Sequence, residues 1–207
     1  MVRLAAISAG VAVLALLGGV WYVTSPGGGG DVFAECRGGQ IAGGSASIGG
    51  PFELVNGKGE TVTDADVLTE PSLVYFGYTF CPDVCPLDTA RNAEAVDLLA
   101  EAGHEVTPVF ISIDPKRDTP EVVGSYAANM HEDMIGLTGS AEQVKAASQA
   151  YRTFYQAHDD EDPEYYLVDH STFTYLMLPD HGFADYFRRD LTAEQVAERT
   201  ACFVDKL

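Results

Sequence analysis

Two cysteines four residues apart, in Cys81-Pro-Asp-Val-Cys85, are the side chains of this sequence best placed to do chemistry. They follow an apolar, aromatic run over 72–78 that has strand character, and they precede a segment, 85–102, whose apolar residues recur near helical spacing and end at Gly103. A cysteine where a helix begins meets unpaired backbone N–H groups and the positive end of the helix dipole, which predicts lowered thiol pKa values and reactive thiolates. The spacing puts both sulfurs on one side of a helix start, near enough to share a metal ion or, with local adjustment, to join as a disulfide. A plain stabilising disulfide is the competing reading, but so short a loop gains little from closure.

Two thiolates underfill most metal sites, so a third donor is expected from elsewhere. Of the five histidines, His104 follows the helix-ending Gly103, His131 lies beside Glu132 and Asp133, His158 heads an acidic loop and His181 occupies a turn. These are the positions of solvated surface histidines. His170 differs, because Asp169-His170-Ser171 immediately precedes an apolar run at 172–178. In a layered fold that loop borders the start of the thiol-bearing helix, so His170 is the candidate third ligand. Two soft thiolates and one imidazole suit copper, as Cu(I) or Cu(II). Structural zinc normally takes four protein ligands, and calcium and magnesium require oxygen donors. Thiolates must be free to bind, so metal loading requires the Cys81–Cys85 pair to be reduced first.

The elements that would position these residues alternate along the chain. Runs at 52–55 and 61–62 flank Asn56-Gly57-Lys58-Gly59, a hairpin signal in which Asn-Gly tolerates the positive φ of a tight turn. Strands are expected at 106–113, 165–168 and 172–178, with 179–182 as a turn. Helices are expected at 119–129, opened by Thr119-Pro120-Glu121, at 140–151, and from Thr192 onward. Strands alternating with helices imply a layered α/β domain.

Upstream, residues 4–23 contain no charge, long enough at 1.5 Å per residue to span a bilayer core of about 30 Å. Trp21 and Tyr22 suit the far interface, while Arg3 favours a cytoplasmic near end. No A-x-A-like cleavage site follows, so residues 1–24 are expected to be a retained membrane anchor. Residues 25–50 are glycine-rich and read as a flexible tether, leaving 51–207 as the functional domain. With 31 Asp+Glu against 12 Lys+Arg the formal net charge is −19, which repels phosphate backbones and excludes nucleic acid as a partner. The same charge could steer cationic metal carriers or a basic protein face.

The blocks YFGYTFCPDVCP at 75–86, ISIDPKRDTPE at 111–121 and DHSTFTYLMLPDHG at 169–182 resemble the Sco/SenC family, in the family's order and over residues 51–205. The resemblance implies a thioredoxin-like domain with an added N-terminal β-hairpin and insertions, behind one transmembrane helix. It also implies copper held by Cys81, Cys85 and His170, in a protein that helps assemble the dinuclear copper centre of cytochrome c oxidase. Asp83 and Asp169, beside the ligands, are expected to support them rather than to bind metal, on grounds of softness. Relative to thioredoxin the chain has Cys-x3-Cys in place of Cys-x2-Cys and no Thr-Pro before 172–178, which weakens the case for general disulfide exchange. Asp114, Arg117 and Asp118 are expected to organise a loop and a helix start.

With Cys81 and Cys85 claimed by the site, Cys36 and Cys202 are the expected structural disulfide, and an oxidising compartment would permit it. The expected protein is therefore a metallochaperone in the cytoplasmic membrane of a bacterium, its domain in the periplasm, handing copper to the oxidase subunit by ligand exchange. The alternative is a thiol-disulfide oxidoreductase or redox sensor, in which Cys81 and Cys85 reduce the oxidase subunit or exchange with other copper chaperones and thiol reductants.

Overall fold

A seven-stranded sheet, with strands in the order Thr61–Thr63, Glu53–Asn56, Ile135–Thr138, Thr107–Ser112, Ser72–Gly77, Thr174–Leu178 and Gly182–Phe187, carries the fold in a computed structural model that describes residues 32–38, 48–159, 162 and 164–207. The chain divides into a short unit, Met1–Glu35, and a large one, Cys36–Leu207, to which every strand and helix below belongs. The anchor expected over 1–24 lies outside the described residues, among which no helix is long and apolar enough to cross a membrane.

The hairpin β1 (Glu53–Asn56) and β2 (Thr61–Thr63) forms one edge. Its turn differs from the Asn-Gly expectation: the left-handed residue is Gly59, with φ +80°, and Asn56 closes the loop by accepting from Gly59 N–H at 2.9 Å and donating to Glu60 O at 2.9 Å. A three-residue loop places the positive φ at its last position, where glycine is strain-free. A single helical turn, α1 (Asp64–Val67), follows, and then β3 (Ser72–Gly77), buried throughout. The long helix α2 (Val84–Glu101) returns the chain to β4 (Thr107–Ser112), parallel to β3. Next come α3 (Pro120–Met130), capped by the Thr119 side chain accepting from Val122 N–H, and β5 (Ile135–Thr138), parallel to β4. Helix α4 (Ala141–Ala150) starts on a Ser140/Gln143 capping box.

The chain then leaves the main sheet. Strands β6 (Tyr155–Ala157) and β7 (Val168–His170) form a separate antiparallel ribbon with Tyr155 opposite His170. The strand expected at 165–168 thus lies further on, and His170 ends a strand instead of sitting in a loop before one. Strands β8 (Thr174–Leu178), antiparallel to β3, and β9 (Gly182–Phe187) rejoin the sheet, and α5 (Ala193–Val204) packs on α2. The core between the sheet and its helices is built on Leu54, Val74, Phe76, Phe110, Ile111, Leu137 and Val144.

Part of the stretch expected as tether is fixed to the domain. Cys36 is bridged to Cys202 with the Cα atoms 5.6 Å apart, Arg37 Nε–H donates to Ala184 O at 3.1 Å, and Gly38 N–H donates to Asp185 Oδ2 at 3.3 Å.

Candidate metal centre

The loop from β3 to α2 presents the two cysteines. Its entry is fixed by Asp118, which is fully buried and accepts from Thr79 N–H at 3.0 Å, Thr79 O–H at 2.5 Å and Ser112 O–H at 2.6 Å. Burial raises the Asp118 carboxyl above its usual range against the pull of those donors. Two residues later Cys81 sits near the surface, 9% exposed, and its sulfur accepts the Cys85 N–H at 3.3 Å. The Cys81 sulfur therefore occupies the place of a helix cap for one of the first amides of α2, while Asp83, the residue at the cap position, makes no side-chain capping bond.

Cys85 has no exposed surface, and its thiol lies in the space left by Gly77, where an added Cβ would stand 3.1 Å from Sγ. Burial pushes this thiol well above its ordinary pKa. That reverses the expectation of a lowered value at Cys85: desolvation of a thiolate enclosed by β3 outweighs the helix end.

His170 reaches the cysteines from the ribbon. Its Nδ1–H donates to Ser171 O at 2.8 Å, which leaves the Nε2 lone pair directed at Cys85 Sγ, 3.3 Å away. The ring is held edge-on by Tyr75 and Tyr78, with centroids 6.2 and 5.9 Å distant and planes nearly perpendicular. Burial lowers the His170 pKa, which keeps the imidazole neutral. Tyr75 O–H in turn donates to the buried Asp88 at 3.1 Å. Burial raises the Tyr78 hydroxyl to about 12, opposed by the Val168 backbone.

The structure thus brings Cys81, Cys85 and His170 together, their ligand atoms all within 4.8 Å of one another, and both cysteines are free. Two soft sulfurs and one imidazole nitrogen with its lone pair exposed are a donor set that fits copper. Asp83 and Asp169 stand outside it. Asp169 neighbours His170 in a strand, so its side chain projects to the opposite side, where its Oδ2 lies 2.8 Å from His158 Nε2. Asp83 is exposed and makes no hydrogen bond to the three ligands among the described residues. Ser171, Tyr75, Tyr78, Gly77 and Asp88 surround the ligands, and the charges of Asp88 and Asp169 oppose the burial that lowers the His170 pKa. Only Gly77, a glycine ending an apolar strand next to Cys81, left a readable trace in the sequence.

A parallel core sheet flanked by an antiparallel hairpin on each side, with two thiols where β3 turns into α2 and a histidine beside them, defines a thioredoxin-like protein with a potential metal site. The SCO1/SenC family model matches residues 41–205. The chain belongs to that family. It is 54% identical over 205 residues to Protein SenC of Rhodobacter capsulatus, covering 99% of this chain and 92% of the relative. Among solved structures, Arabidopsis thaliana ScoI with copper bound matches at TM-score 0.70 and 38% identity, over 77% of this chain and 97% of the other. Yeast Sco1 with copper bound matches at TM-score 0.73 and 34% identity, over 78% and 90%.

Proposed function

We propose that this chain carries copper on Cys81, Cys85 and His170 and hands it to the cytochrome c oxidase subunit that bears the dinuclear copper site. The observation behind this reading is the convergence of the three ligand atoms, with His170 held in the tautomer that offers Nε2. The copper-bound plant and yeast relatives support the metal, and the family resemblance supports the oxidase as recipient. Residues 1–24 as membrane anchor and 25–50 as tether, with 36–38 of it fixed to the domain, would hold the domain at the periplasmic face of a bacterial membrane. Release follows from the architecture: Cys81 is the more accessible sulfur, so an incoming thiolate displaces it first, and Cys85 and His170 follow.

Carriage is favoured over simple disulfide exchange by His170, which exchange does not require. The test mixes the copper-loaded full-length chain with a metal-free oxidase subunit domain whose thiols are already reduced. Appearance of the dinuclear copper absorption is expected. Copper retained by the chain, together with reduction of an oxidised subunit by the metal-free form, would replace carriage by thiol reduction.

A further inference from the structure

The β6–β7 ribbon that carries His170 shares no strand pairing with the seven-stranded sheet, whose β3 leads into the cysteine loop. The ladder reaches His170 only indirectly, through the short connection to Thr174, which pairs with Tyr75 on β3, so a side-chain contact can fix the ribbon end further. Arg117 lies between these two parts. Its guanidinium stacks on the Tyr166 ring at 3.5 Å, and its Nη1 donates to Tyr166 O at 2.9 Å, four residues before His170. The guanidinium also faces the rings of Phe80 at 4.9 Å and Tyr78 at 5.8 Å, and Phe80 immediately precedes Cys81. Asp114 orients the assembly, accepting from Arg117 Nε–H and from Tyr166 O–H, each at 2.5 Å. The Arg117 side chain is only 11% exposed, and its Nη2 is buried without a hydrogen bond among the described residues, so that end is held by ring faces alone.

We propose that Arg117 is a positioning residue for the metal centre: a clamp, closed on Tyr166 from the segment leading into β7 and on Phe80 from the cysteine loop, that fixes His170 against Cys81 and Cys85. This rests on the copper reading above. A planar guanidinium stacks on ring faces and donates along its edge simultaneously, whereas an ammonium group is a compact point charge that cannot do both at once. Arg117 touches none of the three ligands, so its effect on metal binding must pass through the placement of His170.

Cu(I) competition between a chromophoric chelator and the reduced full-length chain tests this. Arg117→Ala and Arg117→Lys should each weaken Cu(I) binding by about 10- to 100-fold, the range for residues that orient metal ligands. In a His170→Ala background the further change on Arg117→Ala should stay within about twofold, because the ligand it positions is gone. Should Arg117→Ala fail to fold, Phe80→Ala carries the test, since Phe80 is 53% exposed and its loss opens one jaw only; weaker binding is expected. Wild-type affinity in Arg117→Lys or in Phe80→Ala overturns the clamp, as does an undiminished effect of Arg117→Ala without His170. If the wild type takes up no Cu(I), the copper reading and the clamp fall together. If His170→Ala weakens binding while Arg117→Ala does not, the clamp alone falls.

Discussion

His170 Nε2 lies 3.3 Å from Cys85 Sγ, while its Nδ1–H donates to Ser171 O. Burial lowers the His170 pKa and pushes the Cys85 thiol up, so the metal-free pair favours a neutral imidazole beside a protonated thiol.

Copper loading should therefore release at least one proton per ion at neutral pH. Cu(I) affinity should rise by about tenfold per pH unit for each proton displaced between pH 6 and 8. Chelator competition across that range measures the slope, and Cys85→Ser should lower it by one proton. An affinity independent of pH would show that Cys85 binds as a ready-made thiolate.

The same burial has a stability consequence in the metal-free chain. Because the folded His170 pKa is below the unfolded value of about 6.5, the unfolded state takes up the proton first. His170's contribution is intact above that value and is lost as pH falls from it through the folded pKa. Urea midpoints at pH 7.5 and 5.5 should fall further for the wild type than for His170→Asn; equal falls would mean that His170 is not desolvated.

Gly77→Ala should damage the site through packing. An added Cβ meets Tyr75 Cε1 at 2.9 Å, Phe110 Cε2 at 3.0 Å and Cys85 Sγ at 3.1 Å. Overpacking of this kind costs about 1–3 kcal/mol. At about 2–4 °C per kcal/mol for a chain of this size, calorimetry should find a lower Tm, accompanied by weaker Cu(I) binding from the displaced sulfur. An unchanged Tm would mean that the strand yields without cost.

Removing the outer bridge should affect stability and leave the metal site alone. The Cys36–Cys202 link spans a sequence separation of 166, and loss of such a bridge costs about 2–5 kcal/mol. Denaturation of Cys36→Ser/Cys202→Ser against the wild type measures it, with Cu(I) affinity expected to stay the same. Weakened copper binding in that variant would show that the bridge supports the site.

The dithiol and its setting were legible in the sequence because a strand running directly into a helix leaves two separate periodicities with the cysteines at their junction. The long helices were legible for the same reason, each with its own cap at Thr119, Ser140 or Thr192. The β6–β7 ribbon was not. Its strands have three residues each, too short for alternation to register, and their pairing joins Tyr155 to His170 across an acidic loop. Proximity in sequence does not show how Asp169 faces: neighbours in a strand point apart, so its carboxylate turns to His158 and acts on His170 through its charge. Arg117 and Tyr166 are 49 residues apart and meet only once the fold is made.

The bridge also has a mechanical meaning. Tension entering the domain at Cys36 passes through sulfur to Cys202 and thus into α5, so the chain between them, including the sheet and the ribbon, lies outside the line of force. Without it, the same pull would act in series on everything from Arg37 onward and could extract roughly 55–60 nm of chain. The oxidised domain can be tugged from its amino-terminal side while the distances among Cys81, Cys85 and His170 stay as they are.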